Sequence, residues 1–258
     1  MTSIAQARPS LTSNDAAVLQ ALFDAESSPS SGITIDSSLP PWPVTVDISQ
    51  SDLASLKTRE TEIVRELQAN DNPSREILQA ALDKLDALLE QYPNYPSAYT
   101  NRAQVLRMLV DLQSKSSHQN TETGADDALF TLQAADLASR IFADLGQAIT
   151  LATPVSPADP VSQVQARLLA DAHTHRGYLL LKASRVKKNQ TSEGASEVGP
   201  ERLRGLSADQ LEEMASRDFF FGGRYGNKVA QQLAVQTNPY AKMCGAIVKE
   251  AMRKELEG

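Results

Sequence analysis

A pattern of small and apolar residues at helical spacing repeats along this chain of 258 residues. One apolar stripe runs from Leu53 to Leu67 and ends at the sequence NDNP, and a second runs from Ile77 to Leu89 and ends at YPNYP. Prolines stop a helix, so each stripe predicts one amphipathic helix of limited length. Two such helices joined by a few residues form an antiparallel pair, and a repeated pair determines the architecture of the whole chain.

The repeat matches a 34-residue tetratricopeptide unit. With Pro93 as the closing proline of a first unit, a second unit begins at Pro96. Ala103 then takes the small position where the two helices approach, and Gly177 takes that position in a third unit. The other matching positions are Tyr99, Leu106, Ile141, Leu145, Ala148, Leu180, Ala215 and Phe219. The sequence therefore predicts an all-α tetratricopeptide-repeat superhelix of three helical-hairpin units.

Two insertions of equal length interrupt the second and third units between their helices. Without insertions, the position matching Ile141 falls at residue 115 and that matching Ala215 falls at residue 189, so each insertion adds 26 residues (141 − 115 and 215 − 189). The insertions near 111–136 and 187–210 contain polar stretches, which favours exposure to solvent. Because both occupy the same turn of the repeat, we expect helix arms that leave the same edge of the stack and contact each other.

The two ends of the chain differ from its helical middle. Residues 1–50 are rich in Ser and Pro, so we predict a mostly disordered N-terminal arm with one short amphipathic helix at 14–23. Trp42 lies in LPPWPV, where its ring either docks into a partner or covers its own domain. Residues 51–228 form the predicted repeat domain, and 229–258 form a C-terminal capping helix over the last unit.

Three segments of the chain resemble the tetratricopeptide repeat protein 36 family. They are NDAAVLQALF at 14–23, SAYTNRAQVLR at 97–107 and TNPYAKMC at 237–244. The resemblance implies a cytoplasmic adaptor or co-chaperone that binds a protein or peptide, with an Hsp70-type chaperone or a tyrosine-catabolism enzyme as the implied partner. The two insertions and the long Ser/Pro-rich N-terminal segment depart from the family pattern.

The first helix of each tetratricopeptide unit lines a concave groove, which is the predicted binding site. The groove positions carry polar side chains that suit a bound peptide, or a merely solvated helix face. They are Ser97, Thr100, Asn101, Gln104 and Arg107 in the second unit and Asp171, Thr174, His175 and Tyr178 in the third. Asp171 and His175 stand where a carboxylate clamp for chaperone tails has Lys and Arg, so we expect no complete clamp. An alternative hypothesis is a self-occluded structural or oligomerisation module whose helix 14–23 fills this groove.

Composition argues against several classes of partner. Lys and Arg number 25 against 32 Asp and Glu, a net charge of −7, which disfavours nucleic acid. The sequence contains no apolar stretch long enough to span a membrane, and residues 1–15 lack the apolar block of a secretory signal, so no membrane is expected. Cys244 is the only cysteine, which excludes an internal disulfide and suits a cytoplasmic location.

The sequence predicts no catalytic residue, metal or cofactor, so we do not expect an enzyme. His173 and His175 are two residues apart, and on a helix such side chains point to different sides and do not share a metal ion. The segment FGGRYG at 221–226 has glycines near a phosphate-loop spacing but lacks the Lys-Ser/Thr of that motif. Gly222 and Gly223 instead predict a close contact between helices.

Overall fold

The computed structural model describes residues 33–117, 128–156, 159–189, 199–238 and Arg253. Over these residues the fold is all-helical, and the β-type pairing is limited to an isolated parallel bridge between Ile35 and Val161. The helices of the described ranges are α1 (Gln50–Gln68), α2 (Arg75–Gln91), α3 (Pro96–Ser117), α4 (Ala135–Ala152), α5 (Gln163–Asn189), α6 (Glu201–Arg204), α7 (Ala208–Arg224) and α8 (Lys228–Thr237). None of the helices described has the length and apolarity needed to cross a bilayer.

Capping side chains and a proline mark several of the helix ends. Ser49, Ser207 and Asn227 precede α1, α7 and α8, and each side chain accepts a hydrogen bond from the backbone N–H three residues later. Before α7, Gln210 completes a capping box because its side chain accepts a hydrogen bond from the backbone N–H of Ser207. Helix α2 ends shortly before Pro93, as the proline rule predicts.

Each long helix packs chiefly against the next long helix along the chain. Contacts join α1 to α2, α2 to α3, α3 to α4, α4 to α5, α5 to α7 and α7 to α8, and the α5–α7 interface is the most extensive. Buried side chains at these interfaces include the predicted repeat positions Ala103, Leu106, Ile141, Leu145, Ala148, Leu180, Ala215 and Phe219. The core is therefore a row of nearest-neighbour helix contacts.

Gly177 is the small residue at the largest of these interfaces. A Cβ atom built on Gly177 would lie 3.0 Å from Cε1 of Phe219 and 3.1 Å from Cβ of Asp218. These distances are shorter than ordinary carbon contacts, so α5 approaches α7 closely because residue 177 has no side chain. The repeat analysis predicts this small position correctly.

The two insertions begin as extensions of α3 and α5, which are 22 and 27 residues long. Residues 118–127 and 190–198 lie outside the described ranges. Phe130, in a short 3-10 turn of the first insertion, lies against Gly199 of the second, where a Cβ atom would be 3.6 Å from the ring. Within the described residues, the two insertions therefore contact each other as expected, but through a 3-10 turn and a glycine and not through helix arms.

The structure corrects part of the predicted disordered arm. Residues 33–49 pack on the helical domain, where the Trp42 side chain is buried and meets the Tyr95 ring edge-on, with 6.1 Å between ring centroids. The hydroxyl of Ser162 donates a 2.8 Å hydrogen bond to the carbonyl of Pro41. The Ser/Pro-rich composition of residues 1–50 predicts disorder, but it does not show that a few apolar residues in the segment are buried against distant helices. Trp42 therefore covers its own domain.

Two predicted terminal elements fall outside the described ranges, wholly or in part. The predicted helix 14–23 precedes residue 33, where the described residues begin. Helix α8 lies almost entirely within the predicted capping region and packs on α7 through the fully buried Ala230, whereas most of 239–258 is not described. The capping role of that remainder stays a prediction.

Candidate functional site

Eight of the nine predicted groove residues line one cavity of about 450 Å³, here called the groove cavity. Helix α3 supplies Thr100, Asn101, Gln104 and Arg107, and α5 supplies Asp171, Thr174, His175 and Tyr178. Ser97 lies in an adjoining cavity of about 360 Å³ that also contacts Trp42, Asn101 and Asp171. Residues three or four apart share a helix face, and this spacing brings both sets of side chains to the same space.

Helix α8 forms a wall of the groove cavity that the sequence analysis did not assign. Asn227, Val229 and Leu233 contribute to this wall. The sequence shows a capping residue, Asn227, followed by a short amphipathic helix. This pattern predicts the helix but not the surface against which it packs. The wall depends on a contact between distant residues, which local patterns do not encode.

Two glycines allow α8 to reach this position. A Cβ atom on Gly222 would lie 2.7 Å from Oγ1 of Thr174 and 3.1 Å from Cβ of Ala230. A Cβ atom on Gly223 would lie 2.8 Å from Cγ of Gln231. The predicted close helix contact at Gly222 and Gly223 is confirmed, and it holds α8, which forms one wall of the groove cavity, against α7.

Asn101 is held in place by an acid from α1. Its Nδ2 donates a 2.5 Å hydrogen bond to Oε1 of Glu60, and the Tyr95 hydroxyl donates a 2.7 Å bond to the other oxygen of that carboxylate. Burial and the Glu60 charge raise the pKa of Tyr95 well above its usual range, so the hydroxyl keeps its proton. The side chain of Asn101 therefore has a fixed orientation before any ligand arrives.

Positive charge gathers at the end of the cavity that contains Arg107. The Arg107 guanidinium lies 5.6 Å from the centre of the Tyr178 ring, and the Lys182 ammonium lies 4.7 Å from the same centre. Nη1 of Arg107 is 3.5 Å from Nε2 of His175. Burial and the Arg107 charge lower the pKa of His175 to about 4, so His175 is neutral at neutral pH.

Negative charge marks the other end of the cavity, where Asp171 stands. Burial raises the pKa of Asp171, and the Arg167 charge and a hydrogen bond from Asn227 oppose that rise. Ser97 and Asp171 share one adjoining cavity, whereas Arg107 meets His175 roughly three turns beyond Ser97 on α3 and about one turn beyond Asp171 on α5. Within the groove cavity, Asp171 and Arg107 thus place opposite charges at its two ends.

His173 and His175 face different neighbours, as predicted. His175 lines the groove cavity, whereas Nδ1 of the buried His173 lies 2.8 Å from Oδ1 of Asp218 on α7. Burial alone raises the pKa of Asp218, but hydrogen bonds from Arg176 and His173 lower it overall. Among the residues with described positions, no group of three or more His, Cys, Asp or Glu side chains is arranged to hold a metal ion.

A known protein is similar to this chain over its whole length. The chain is 64% identical over 258 residues to the L-tyrosine degradation gene cluster protein hmgX of Aspergillus fumigatus, covering 100% of this chain and 98% of the relative. The chain belongs to the hmgX family. Because the hmgX alignment covers the whole chain, it includes both insertions and the Ser/Pro-rich N-terminal segment. No protein-family model and no solved structure matches the chain.

Proposed function

We propose that this protein is a non-enzymatic, protein-binding adaptor of the tetratricopeptide type that acts in the cytoplasm. The observation that carries the proposal is the groove cavity. A tetratricopeptide register predicts these eight residues from the sequence, and the fact that they line one cavity between α3 and α5 supports the proposal. The nearest-neighbour packing of helix pairs supports the same superhelix, and with it a relationship to the tetratricopeptide repeat protein 36 family.

The proposed partner is an enzyme of tyrosine catabolism. A relative 64% identical over the whole chain is named for an L-tyrosine degradation gene cluster, and the resemblance to tetratricopeptide repeat protein 36 implies the same metabolic link. An Hsp70-type chaperone, the other partner that the resemblance implies, fits the groove less well. Asp171 adds negative charge where an acidic chaperone tail needs a cation, and the neutral His175 adds none.

The groove suits binding better than catalysis. His175 is a weak base because its pKa is about 4, and its Nε2 faces the Arg107 guanidinium. General acid–base catalysis works best with a group whose pKa lies near the operating pH. Polar side chains fixed along two helices instead match the backbone and side-chain contacts that hold an extended peptide.

The test is affinity purification from the native cells, with bound proteins identified by mass spectrometry. The wild type is compared with Arg107→Glu, which reverses the basic end, and with Gln104→Glu, which adds charge at an exposed groove position. Arg75→Glu is the matched control because Arg75 is exposed on α2, outside the groove cavity. Melting curves verify that each variant is folded.

We expect a tyrosine-catabolism enzyme to be recovered with the wild type and Arg75→Glu and to be lost with Arg107→Glu. Calorimetry with the purified enzyme then measures the affinity directly. Recovery of the same proteins with folded Arg107→Glu would contradict the groove as the binding site. Recovery of an Hsp70-type chaperone without any tyrosine-catabolism enzyme would contradict the proposed partner.

A further inference from the structure

A second and larger cavity, of about 610 Å³, lies on a different face of α5 from the groove cavity. Four apolar side chains form its floor: Phe142 of α4, Leu180 of α5, Leu203 of α6 and Met214 of α7. Met214 is 40% exposed although it is large and apolar. We call this cavity the arginine cleft, because arginines line it beside the four apolar side chains.

Three arginines, Arg140, Arg202 and Arg217, line the arginine cleft, all exposed to solvent. Arg140 has a long contact of 3.4 Å with Asp86. Arg202 and Arg217 form no hydrogen bond or ion pair with any residue in the described part of the chain. The two guanidinium groups can therefore bind an anion from outside the chain.

The acids of the arginine cleft do not neutralise these arginines. Asp218 lies at its base, where Arg176 donates two hydrogen bonds of 2.7 Å to the carboxylate. Glu201 is the other lining acid and is exposed. The lining thus holds four arginines against two acids, in a chain whose net charge is −7. This local positive excess favours a negatively charged ligand.

The second insertion builds one wall of the arginine cleft and is fastened to α5. Lys187 Nζ donates hydrogen bonds to the carbonyls of Leu203, Arg204 and Leu206, at 3.1, 2.8 and 2.5 Å. Nε of Arg204 donates a further bond of 3.0 Å to the carbonyl of Gly199. Four hydrogen bonds therefore hold α6 in place, and the wall exists before a ligand binds.

We propose that the arginine cleft binds an acidic amphipathic peptide segment of a partner protein. Large apolar side chains of the segment enter the cleft over Phe142 and Met214, and flanking Asp or Glu residues pair with Arg202 and Arg217. Carboxylates form strong, often bidentate hydrogen bonds with arginine, and Met and Arg are enriched where proteins meet. The apolar side chains that line the cavity suit apolar side chains of a peptide, which a single small anion does not supply.

This proposal is independent of the groove and extends the adaptor role. The groove cavity is lined mainly by polar side chains, whereas the arginine cleft is apolar and basic. The two sites lie on different faces of α5, so an occupant of one leaves the other open. The protein then holds two partners of different chemistry at once.

The test uses a fluorescein-labelled synthetic peptide, NDAAVLQALFDAE, which copies residues 14–26 and combines an apolar stripe with three acids. Fluorescence anisotropy measures its binding to the full chain. We expect saturable binding that becomes roughly tenfold weaker with the double variant Arg202→Glu, Arg217→Glu, because charge-assisted contacts are lost. Arg75→Glu and Arg107→Glu should leave the affinity unchanged, which separates this site from the groove.

Two peptide controls test the charge pairing. A peptide with Asn or Gln at all three acidic positions should bind the wild-type protein roughly tenfold more weakly. A peptide in which Lys replaces the last two acids should recover affinity for the charge-reversed cleft. Absence of saturable binding, or binding that the arginine substitutions do not alter, would overturn the proposal.

A further variant separates a partner's segment from the chain's own N-terminal segment. Leu22→Asp with Phe23→Asp disrupts the apolar stripe of the chain itself. If residues 14–26 occupy the arginine cleft, this variant binds the added peptide more tightly than the wild type, and the assignment to a partner is overturned. Unchanged affinity supports a cleft that is open to a partner.

Discussion

Arg176 donates two hydrogen bonds of 2.7 Å to Asp218, across the interface between α5 and α7. Arg102 makes the same two bonds to Asp144, at 2.8 and 2.6 Å, and both pairs join residues 42 positions apart. Each carboxylate side chain is only 5% exposed. A buried ion pair between two helices therefore recurs along the chain. It accompanies the apolar positions from which the repeat was predicted.

Asp218→Ala should lower the free energy of unfolding by about 3–5 kcal/mol, because it leaves the Arg176 guanidinium without its buried partner. Urea denaturation followed by circular dichroism measures the change. Asp86→Asn is the control, since Asp86 pairs with Arg102 at the surface, where its side chain is 42% exposed. We expect a cost below about 1 kcal/mol there. Equal costs for the two variants would contradict a structural role for the buried pair.

The folded protein should lose stability as the pH falls through the range in which His175 of the unfolded chain takes up a proton. Its pKa is about 4 in the folded protein and about 6.5 in the unfolded chain, so below pH 6.5 the unfolded chain binds the extra proton. Stability is then lost as the pH falls from about 6.5 to about 4, by about 3 kcal/mol in total. His175→Gln should remove this part of the slope in denaturation series across that window. A slope that the variant leaves unchanged would contradict a buried, neutral His175.

Gly222→Ala should destabilise the fold by about 1–3 kcal/mol, because the added methyl group meets Thr174 and Ala230 and pushes α8 away from α7. Thermal or urea unfolding measures this effect. Gly205→Ala is the matched control, since a Cβ atom there meets nothing within 4 Å and its φ of −76° suits any residue. That variant should be neutral or slightly stabilising. A neutral Gly222→Ala would show that α8 does not depend on the close approach.

Trp42→Ala should cost about 3 kcal/mol, since the ring is 7% exposed and packs edge-on against Tyr95. Val44→Ala, two residues away, provides the comparison because Val44 is 96% exposed and should be silent. Circular dichroism during urea unfolding reports both variants. If Trp42→Ala proved as mild as Val44→Ala, residues 33–49 would not be an integral part of the domain.

The sequence predicts the parts of the fold that depend on spacing. Prolines mark helix ends, and the period that places Ala103 and Gly177 also selects the groove residues, eight of which line one cavity. The ordered packing of residues 33–49 and the wall at Val229 were missed, because each depends on partners far away along the chain. The arginine cleft was missed for the same reason. Its floor takes one side chain from each of four helices, a combination that no local pattern contains.

The bridge between Ile35 and Val161, together with the hydrogen bond from Ser162 to Pro41, joins segments about 120 residues apart. The same N-terminal segment rests on Tyr95 through Trp42, so it connects the early helices to the start of α5. In a stack held only by neighbouring contacts, end units fray separately and the curvature varies. The N-terminal segment instead bridges residues that are far apart in the chain, so we expect the early helices and the start of α5 to unfold together rather than separately.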